Sequence, residues 1–362
     1  MGSLQRRKFP QEICVDASQI DSVFPGQYTR GMNSAGRRLL PLLLAVSAIG
    51  LSCARKSDAP SAATNKPLTI AVIPKGMIHE FWKSIHAGAA QAAAELGVEI
   101  LWKGPQKEDD RAQQITVVED LITRGVSGIV LAPLDDRALV RPVQDALAEK
   151  IPVLIIDSGL EGGGFLSYVA TDNYRGGVMA AQRMGELLAG RGRIFLVRYQ
   201  EGSASTTARE AGFLETIARD FPGITLLSKD QYAGPTTESS YQLGENLIGR
   251  YPDVDGVFCP NESSTFGMLR ALQESRLAGK VKFVGFDASP KLVQGLRDGE
   301  IHGLILQNPV KMGYLGVSLM VQFLRGGTVP DRVDTGVYLA TRENMDSAEI
   351  RGLLSPDLSI LD

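Results

Sequence analysis

The sequence predicts an α/β chain folded as two similar lobes, each a parallel sheet with helices on both faces. From Leu68 onward, short β-branched runs alternate with longer segments whose apolar residues recur at helical spacing, the pattern of repeated βαβ units. Near residue 171 the alternation restarts, and one sheet holding every strand would be unusually wide. The length of 362 residues also suggests two domains, or one large one.

The first lobe reads as a strand over 68–74 (LTIAVIP), an amphipathic helix over 80–96 and a strand over 98–104 (VEILWKG). A helix over 109–124, a strand over 128–133 (GIVLAP), a helix over 137–149 and a strand over 152–157 (PVLIID) follow. The second lobe repeats the series: helix 174–188, strand 193–199 (RIFLVRY), helix 208–219, strand 224–230 (ITLLSKD), helix 239–249, strand 256–260 (GVFCP), helix 264–278 and strand 282–287 (KFVGFD). The glycines at 162–164 with Thr171-Asp172-Asn173 mark the natural crossing between lobes, and 301–309 and the stretch after Gly326 offer two more. The expected division is 68–170 plus 308–330 for lobe 1, 171–307 plus 331–345 for lobe 2, and 346–362 as a C-terminal tail. Three connecting segments make a hinge rather than a free linker.

Ahead of this body, Arg37-Arg38 precede an apolar run over 39–51 that ends at Ser52-Cys53. That is the order of an export signal, and the run is too short for a bilayer, which takes roughly 20 residues. Residues 32–53 are therefore read as a signal peptide, with Met32 a natural start, residues 1–31 a mis-called start or a disordered stretch, and 54–67 a polar linker. Cys53 resembles the lipidated cysteine of a bacterial lipoprotein signal, although Gly50 stands where the motif usually has leucine. The expected location is the periplasm or cell envelope, with membrane contact only through a lipid on Cys53.

Composition narrows the class further. The 44% apolar and 22% charged fractions are those of a globular protein, and a net charge of −3 gives no electrostatic footprint for nucleic acid. Three cysteines cannot build a disulfide scaffold for a chain this long, and Cys259, in VFCP, reads as the end of a buried strand. With only three histidines there is no HExxH pair and no zinc cluster; GxSxG and P-loop sequences are absent, and EGGGF opens no clear helix. No enzyme, metal or cofactor is expected.

In open parallel sheets, ligands sit beyond the carboxyl ends of the strands. Those positions hold Lys75 to Trp82 after the first strand and Asp157-Ser158 after the fourth. In the second lobe they hold Tyr199-Gln200-Glu201 with Arg209 beyond, Pro260-Asn261-Glu262 and Phe286-Asp287, and the later crossing carries Gln307-Asn308. Planar amides, carboxylates and an arginine can each bridge neighbouring hydroxyls, and aromatic faces cover C–H surface. The set suits an uncharged polyol and suits phosphate poorly. Plainer roles compete: His79 as a cap or surface residue, Asp157 and Asp287 as helix N-caps, and Phe81 or Trp82 as core. Because the two aromatics are adjacent, one of them is expected to face outward.

These residues and their order resemble the periplasmic sugar-binding proteins of ABC transporters, of the ribose/galactose-binding type, which share their core with lactose-repressor-like regulators. The resemblance runs over about 68–345 and rests on FWKSIHAGA, GIVLAPLD, IPVLIIDS, ATDNYRGG, TTAREAGF, GVFCPNE, VGFD and LILQNP taken in order. It implies Rossmann-like lobes with parallel sheets joined by a three-segment hinge, the periplasmic binding protein-like I fold. It implies ligand contacts at His79, Phe81, Trp82, Asp157, Arg209, Asn261, Asp287 and Gln307, with Lys75 and Ser158 as further candidates. Two departures stand out. His79 replaces an asparagine of ribose binders and Ser158 replaces an arginine, which puts ribose itself in doubt; the second-lobe aromatic of ribose binders has no clear match near Tyr232–Pro235.

The implied function is capture of a monosaccharide or small polyol between the lobes and delivery to ABC permease subunits by a monomeric receptor. A sensory protein partnering a chemoreceptor or histidine kinase is the alternative. A repressor would need an N-terminal helix-turn-helix where this chain has its signal segment.

Overall fold

The computed structural model describes residues 67–362; the signal segment, Cys53 and most of the linker lie outside the described residues. In the first sheet, β1 (Thr69–Ile73), β2 (Glu99–Trp102), β3 (Gly128–Leu131), β4 (Val153–Ile156) and β5 (Tyr168–Ala170) are parallel. The connecting helices are α1 (Glu80–Leu96), α2 (Arg111–Thr123) and α3 (Val140–Ala148). In the second lobe, α4 (Asn173–Leu187) leads to β6 (Arg191–Arg198), α5 (Ala204–Asp220), β7 (Gly223–Tyr232), α6 (Thr237–Arg250) and β8 (Gly256–Phe258). Then come α7 (Glu262–Glu274), β9 (Lys282–Phe286), α8 (Pro290–Arg297) and β10 (Gly303–Leu306). The chain returns as α9 (Pro309–Leu324) and β11 (Arg332–Asp334), crosses again to β12 (Tyr338–Ala340), and ends in α10 (Ala348–Leu354) and a short 3₁₀ turn.

The strand orders are β11-β5-β4-β3-β1-β2 and β12-β10-β9-β8-β6-β7, the same order twice, differing only in the direction of the edge strand. Among the described residues, only the β10–β12 pairing is antiparallel. Alternation along each strand divides the residues between two cores per sheet. In lobe 1, Ile70, Val72, Val130, Leu154 and Ile156 pack under α1 and α9, while Ala71, Ile73, Ile129, Leu131, Val153 and Ile155 pack under α2 and α3. Both faces are covered, which is why the strands read as continuous apolar runs.

The lobes repeat one packing device. A Cβ at Gly88 would lie 1.9 Å from the Val310 carbonyl oxygen, and one at Gly313 would lie 2.0 Å from that of Ile85, so α1 and α9 touch backbone to backbone. Gly177 and Gly212 do the same for α4 and α5.

The chain changes sheets at 171–172, 307–308 and 335–337, and the first and third passages are tied where the Thr171 hydroxyl lies 3.3 Å from that of Thr335. Two details differ from expectation. Strand β11 pairs with β5 and so belongs to the first sheet, although 331–345 was assigned to lobe 2. The segment 346–362 is no loose tail, because Ile350 and Leu354 of α10 are buried in the second lobe's core and the 3₁₀ turn packs against α1.

Candidate functional site

The carboxyl ends of both sheets face one narrow cleft between the lobes, with a cavity of about 30 Å³. Lys75, His79, Phe81, Trp82, Asp157, Arg209, Asn261, Asp287 and Gln307 all line it. Ser158 does not: it stands behind the wall, fully buried, its hydroxyl accepting the Ser205 amide at 3.1 Å across the lobe boundary.

Asp157 and Asp287 follow β4 and β9, the fourth strands of their sheets in chain order, and neither is the N-cap residue of a helix. Asp157 pairs with Lys75 at 3.0 Å, and Lys75 also donates to Ser205 at 3.1 Å. Asp287 accepts the Gln307 amide at 2.7 Å and the Glu262 main-chain amide at 3.1 Å, with Arg209 at 4.0 Å. Burial raises the pKa of Asp287, and the guanidinium works against that rise. Arg209 is fixed by Asn173 at 2.9 Å and the Pro260 carbonyl at 2.8 Å, and its plane lies 3.9 Å over Phe286. Asn261 is the N-cap of α7, its side-chain oxygen bound by Ser264, so helix geometry sets its orientation.

Phe81 and Trp82 are both buried, at 8% and 3% exposure, with ring centroids 5.0 Å apart and nearly perpendicular. The expectation that one would face outward fails because α1 begins at the cleft, so both sides of its first turn are covered. His79 occupies the N-cap position of α1 without capping it. Its Nδ1 lies 2.6 Å from Glu108, which also accepts from Trp82 Nε1 and from the Tyr199 hydroxyl across the boundary. Burial alone would lower the His79 pKa, but the Glu108 carboxylate raises it to about 9. Burial would raise that of Glu108, yet its three donors hold it at about 2.

Sequence reasoning missed Glu108, Ser203, Ser205 and Thr206 as cleft residues, and it placed Tyr199 and Glu262 at strand ends facing the ligand without assigning them a contact. Glu108 follows the second strand, whose end, like that of the third, went unread for ligand contacts, and it sits among charged neighbours at 107–110. Tyr199, at the end of β6, is the aromatic that the second lobe adds to the lining; Tyr232 is 42% exposed, with Arg198 over its ring. From the second lobe, Glu262 accepts the Glu80 and Phe81 amides at 3.3 and 3.0 Å, a carboxylate on the N-terminus of the other lobe's helix. Its pKa is raised to about 7, with burial the largest cause.

A family model described as a periplasmic binding protein domain matches residues 70–328. The chain belongs to this family. As a periplasmic binding protein, it is 30% identical over 315 residues to a D-ribose/D-allose-binding protein of Pseudomonas aeruginosa, covering 84% of this chain and 95% of the relative. It is similar to a solute-binding protein of Agrobacterium radiobacter solved in complex with D-arabinose, with a TM-score of 0.77 and 33% identity, covering 82% of this chain and all of that one. A solute-binding protein of Agrobacterium vitis with bound D-fucose gives a TM-score of 0.77 and 31% identity, covering 79% of this chain and all of that one.

Proposed function

We propose that this periplasmic binding protein captures a monosaccharide or small polyol between its lobes and delivers it to the membrane subunits of an ABC importer. The observation that carries the reading is the balance of the cleft: Lys75, Arg209 and His79 face Asp157, Asp287 and Glu108, cation matched to anion, beside two aromatic rings. The paired charges largely cancel, with only the Glu262 carboxyl beyond the three pairs, while Lys75, Arg209, His79, Asp157 and Asp287 still have capacity for a hydroxyl. The relatives named for ribose and allose, and those solved with arabinose and fucose, support the ligand class.

Ligand contact is assigned to Lys75, His79, Phe81, Trp82, Asp157, Arg209, Asn261, Asp287 and Gln307. Contacts from both lobes favour the closed form. Moving it from 1:99 to 99:1 takes roughly 5.5 kcal/mol. A few hydrogen bonds to charged groups, at roughly 1.5–3 kcal/mol each, are sufficient. The chain carries no catalytic step in this reading. Export through the signal ending at Cys53, and a lipid on that thiol, belong to the same proposal and rest on sequence.

A thermal-shift screen of the full chain against D-ribose, D-arabinose, D-allose, D-fucose and xylitol tests it. Ligand at 100 times its Kd adds roughly 2.7 kcal/mol of stability. A clear rise with one of these names the ligand class; a well-folded chain that responds to no sugar or polyol overturns the reading.

A further inference from the structure

Glu108, in the turn between β2 and α2, lines the cleft but has little left to offer a ligand. An ionised carboxylate has about four acceptor positions. Glu108 fills three of them with His79 Nδ1, Trp82 Nε1 and the Tyr199 hydroxyl, and its main-chain oxygen accepts Gln200 Nε2 at 2.8 Å. Glu108 and His79 also form the partition between the cleft and an outer space of about 250 Å³ lined by Ile78, Lys107 and Pro235. Among the described residues, His79 Nε2 has no hydrogen-bond partner.

We propose that Glu108 is a positioning residue for ligand recognition: by accepting the Nδ1 hydrogen of His79, it turns the ring so that Nε2–H faces the ligand as a fixed donor. The other ring nitrogen's partner decides which face of a histidine is offered, and here that partner is an anion. Trp82, with its N–H spent on the same carboxylate, presents only its ring faces. This inference rests on the sugar-receptor reading. The charged groups facing the imidazole are Glu108 from the β2–α2 turn, Glu262 from α7 and Asp287 after β9, with Lys75 and Arg209 on the same cleft and Lys107 beside Glu108. The Glu108 carboxylate, with smaller contributions from Glu262 and Asp287, outweighs burial, so the ring is a two-donor cation across pH 5–8.

The chain has only His79, His86 and His302, which makes the test direct. His302 Nδ1 accepts the Phe283 amide at 3.2 Å, and burial lowers its pKa to about 4; His86 stacks on Trp102 and is also lowered by burial. Nitrogen NMR of the full chain labelled in histidine is expected to show one imidazolium that persists to pH 8 and is missing from His79→Asn. In Glu108→Gln that signal is lost, because burial then acts without the carboxylate. Calorimetry with D-ribose, D-arabinose and D-allose reads the consequence. Wild-type affinity is flat between pH 5.5 and 8, while that of Glu108→Gln falls about tenfold or more as Nε2 turns from donor to acceptor. A wild-type His79 that titrates between pH 5 and 8, or a Glu108→Gln profile as flat as wild type, overturns the proposal. If Glu108→Gln does not fold, the wild-type NMR titration decides alone. If none of the sugars binds wild type, the ligand reading fails while the titration still decides the role of Glu108.

Discussion

Asp157 and Asp287 occupy equivalent places in the two lobes. Each is the residue after the fourth strand of its sheet, and each has a left-handed backbone, with φ of 62° and 68°. Few residues other than glycine adopt that region, and aspartate tolerates it better than most. The same local turn, built twice, brings each carboxylate beside a cation: Lys75 at 3.0 Å for Asp157 and Arg209 at 4.0 Å for Asp287.

Removing the charge at Asp287 without removing its shape separates binding from folding. Asp287→Asn is expected to lower sugar affinity at least tenfold, one charge-assisted hydrogen bond being worth roughly 1.5–3 kcal/mol. Its circular dichroism should be unchanged. Asp287→Ala is a harsher variant, because it strands Arg209 in a buried site. Wild-type affinity in Asp287→Asn would remove this residue from the site.

Lys75→Met should destabilise the ligand-free chain by about 3–5 kcal/mol, the cost of breaking a buried pair and leaving one charge alone. Both partners are only 4% exposed. Denaturant melts read the change; a loss under 1 kcal/mol would mean water solvates Asp157 once the ammonium is gone.

Glu262 and Glu210 both have pKa values raised to about 7 by burial, against about 4.5 unfolded. A raised carboxyl binds more protons folded than unfolded, so its contribution is full below pH 4.5 and is lost as pH rises through 7. The melting temperature of the ligand-free chain should therefore fall across that window, and less steeply in Glu262→Gln. Parallel wild-type and variant curves would show that the carboxyl ionises normally.

Gly88→Ala is expected to cost 1–3 kcal/mol or more, because the new methyl meets the Val310 carbonyl at the closest approach of α1 and α9. Gly97→Ala serves as a control with open space, although its φ of 65° adds backbone strain there. Equal unfolding midpoints for Gly88→Ala and wild type would mean the helices can separate freely.

Asn261→Ala should lose both a cleft amide and the cap of α7. The cap alone is worth about 1 kcal/mol. A drop in melting temperature is expected alongside weaker binding, and Asn261→Ser, which keeps a capping oxygen, should recover the stability but not the affinity.

Much of this molecule is readable along the chain. The alternation of periods two and 3.6 places the strands and helices, because burial on both faces of a parallel sheet forces it. The strand ends point to Asp157, Asn261 and Asp287, because local geometry puts a strand's final residue at the sheet's edge. Long-range convergence is different. Glu108 reaches His79, Trp82 and Tyr199 from a turn that sequence leaves unmarked, and Glu262 caps a helix 181 residues away in the other lobe. Ser158 looked like a site residue from its neighbour, but the close approach of Ser205 puts it behind the wall. Strand β11 joined the first sheet, a choice that three residues of weak pattern cannot make and that pairing with β5 does. Local periodicity determined the elements and the two-lobed plan; which side chains meet across the cleft, and how their charges and protons are shared, was decided only by the packing of one lobe against the other, because those energies depend on distance in space and burial rather than on separation along the chain.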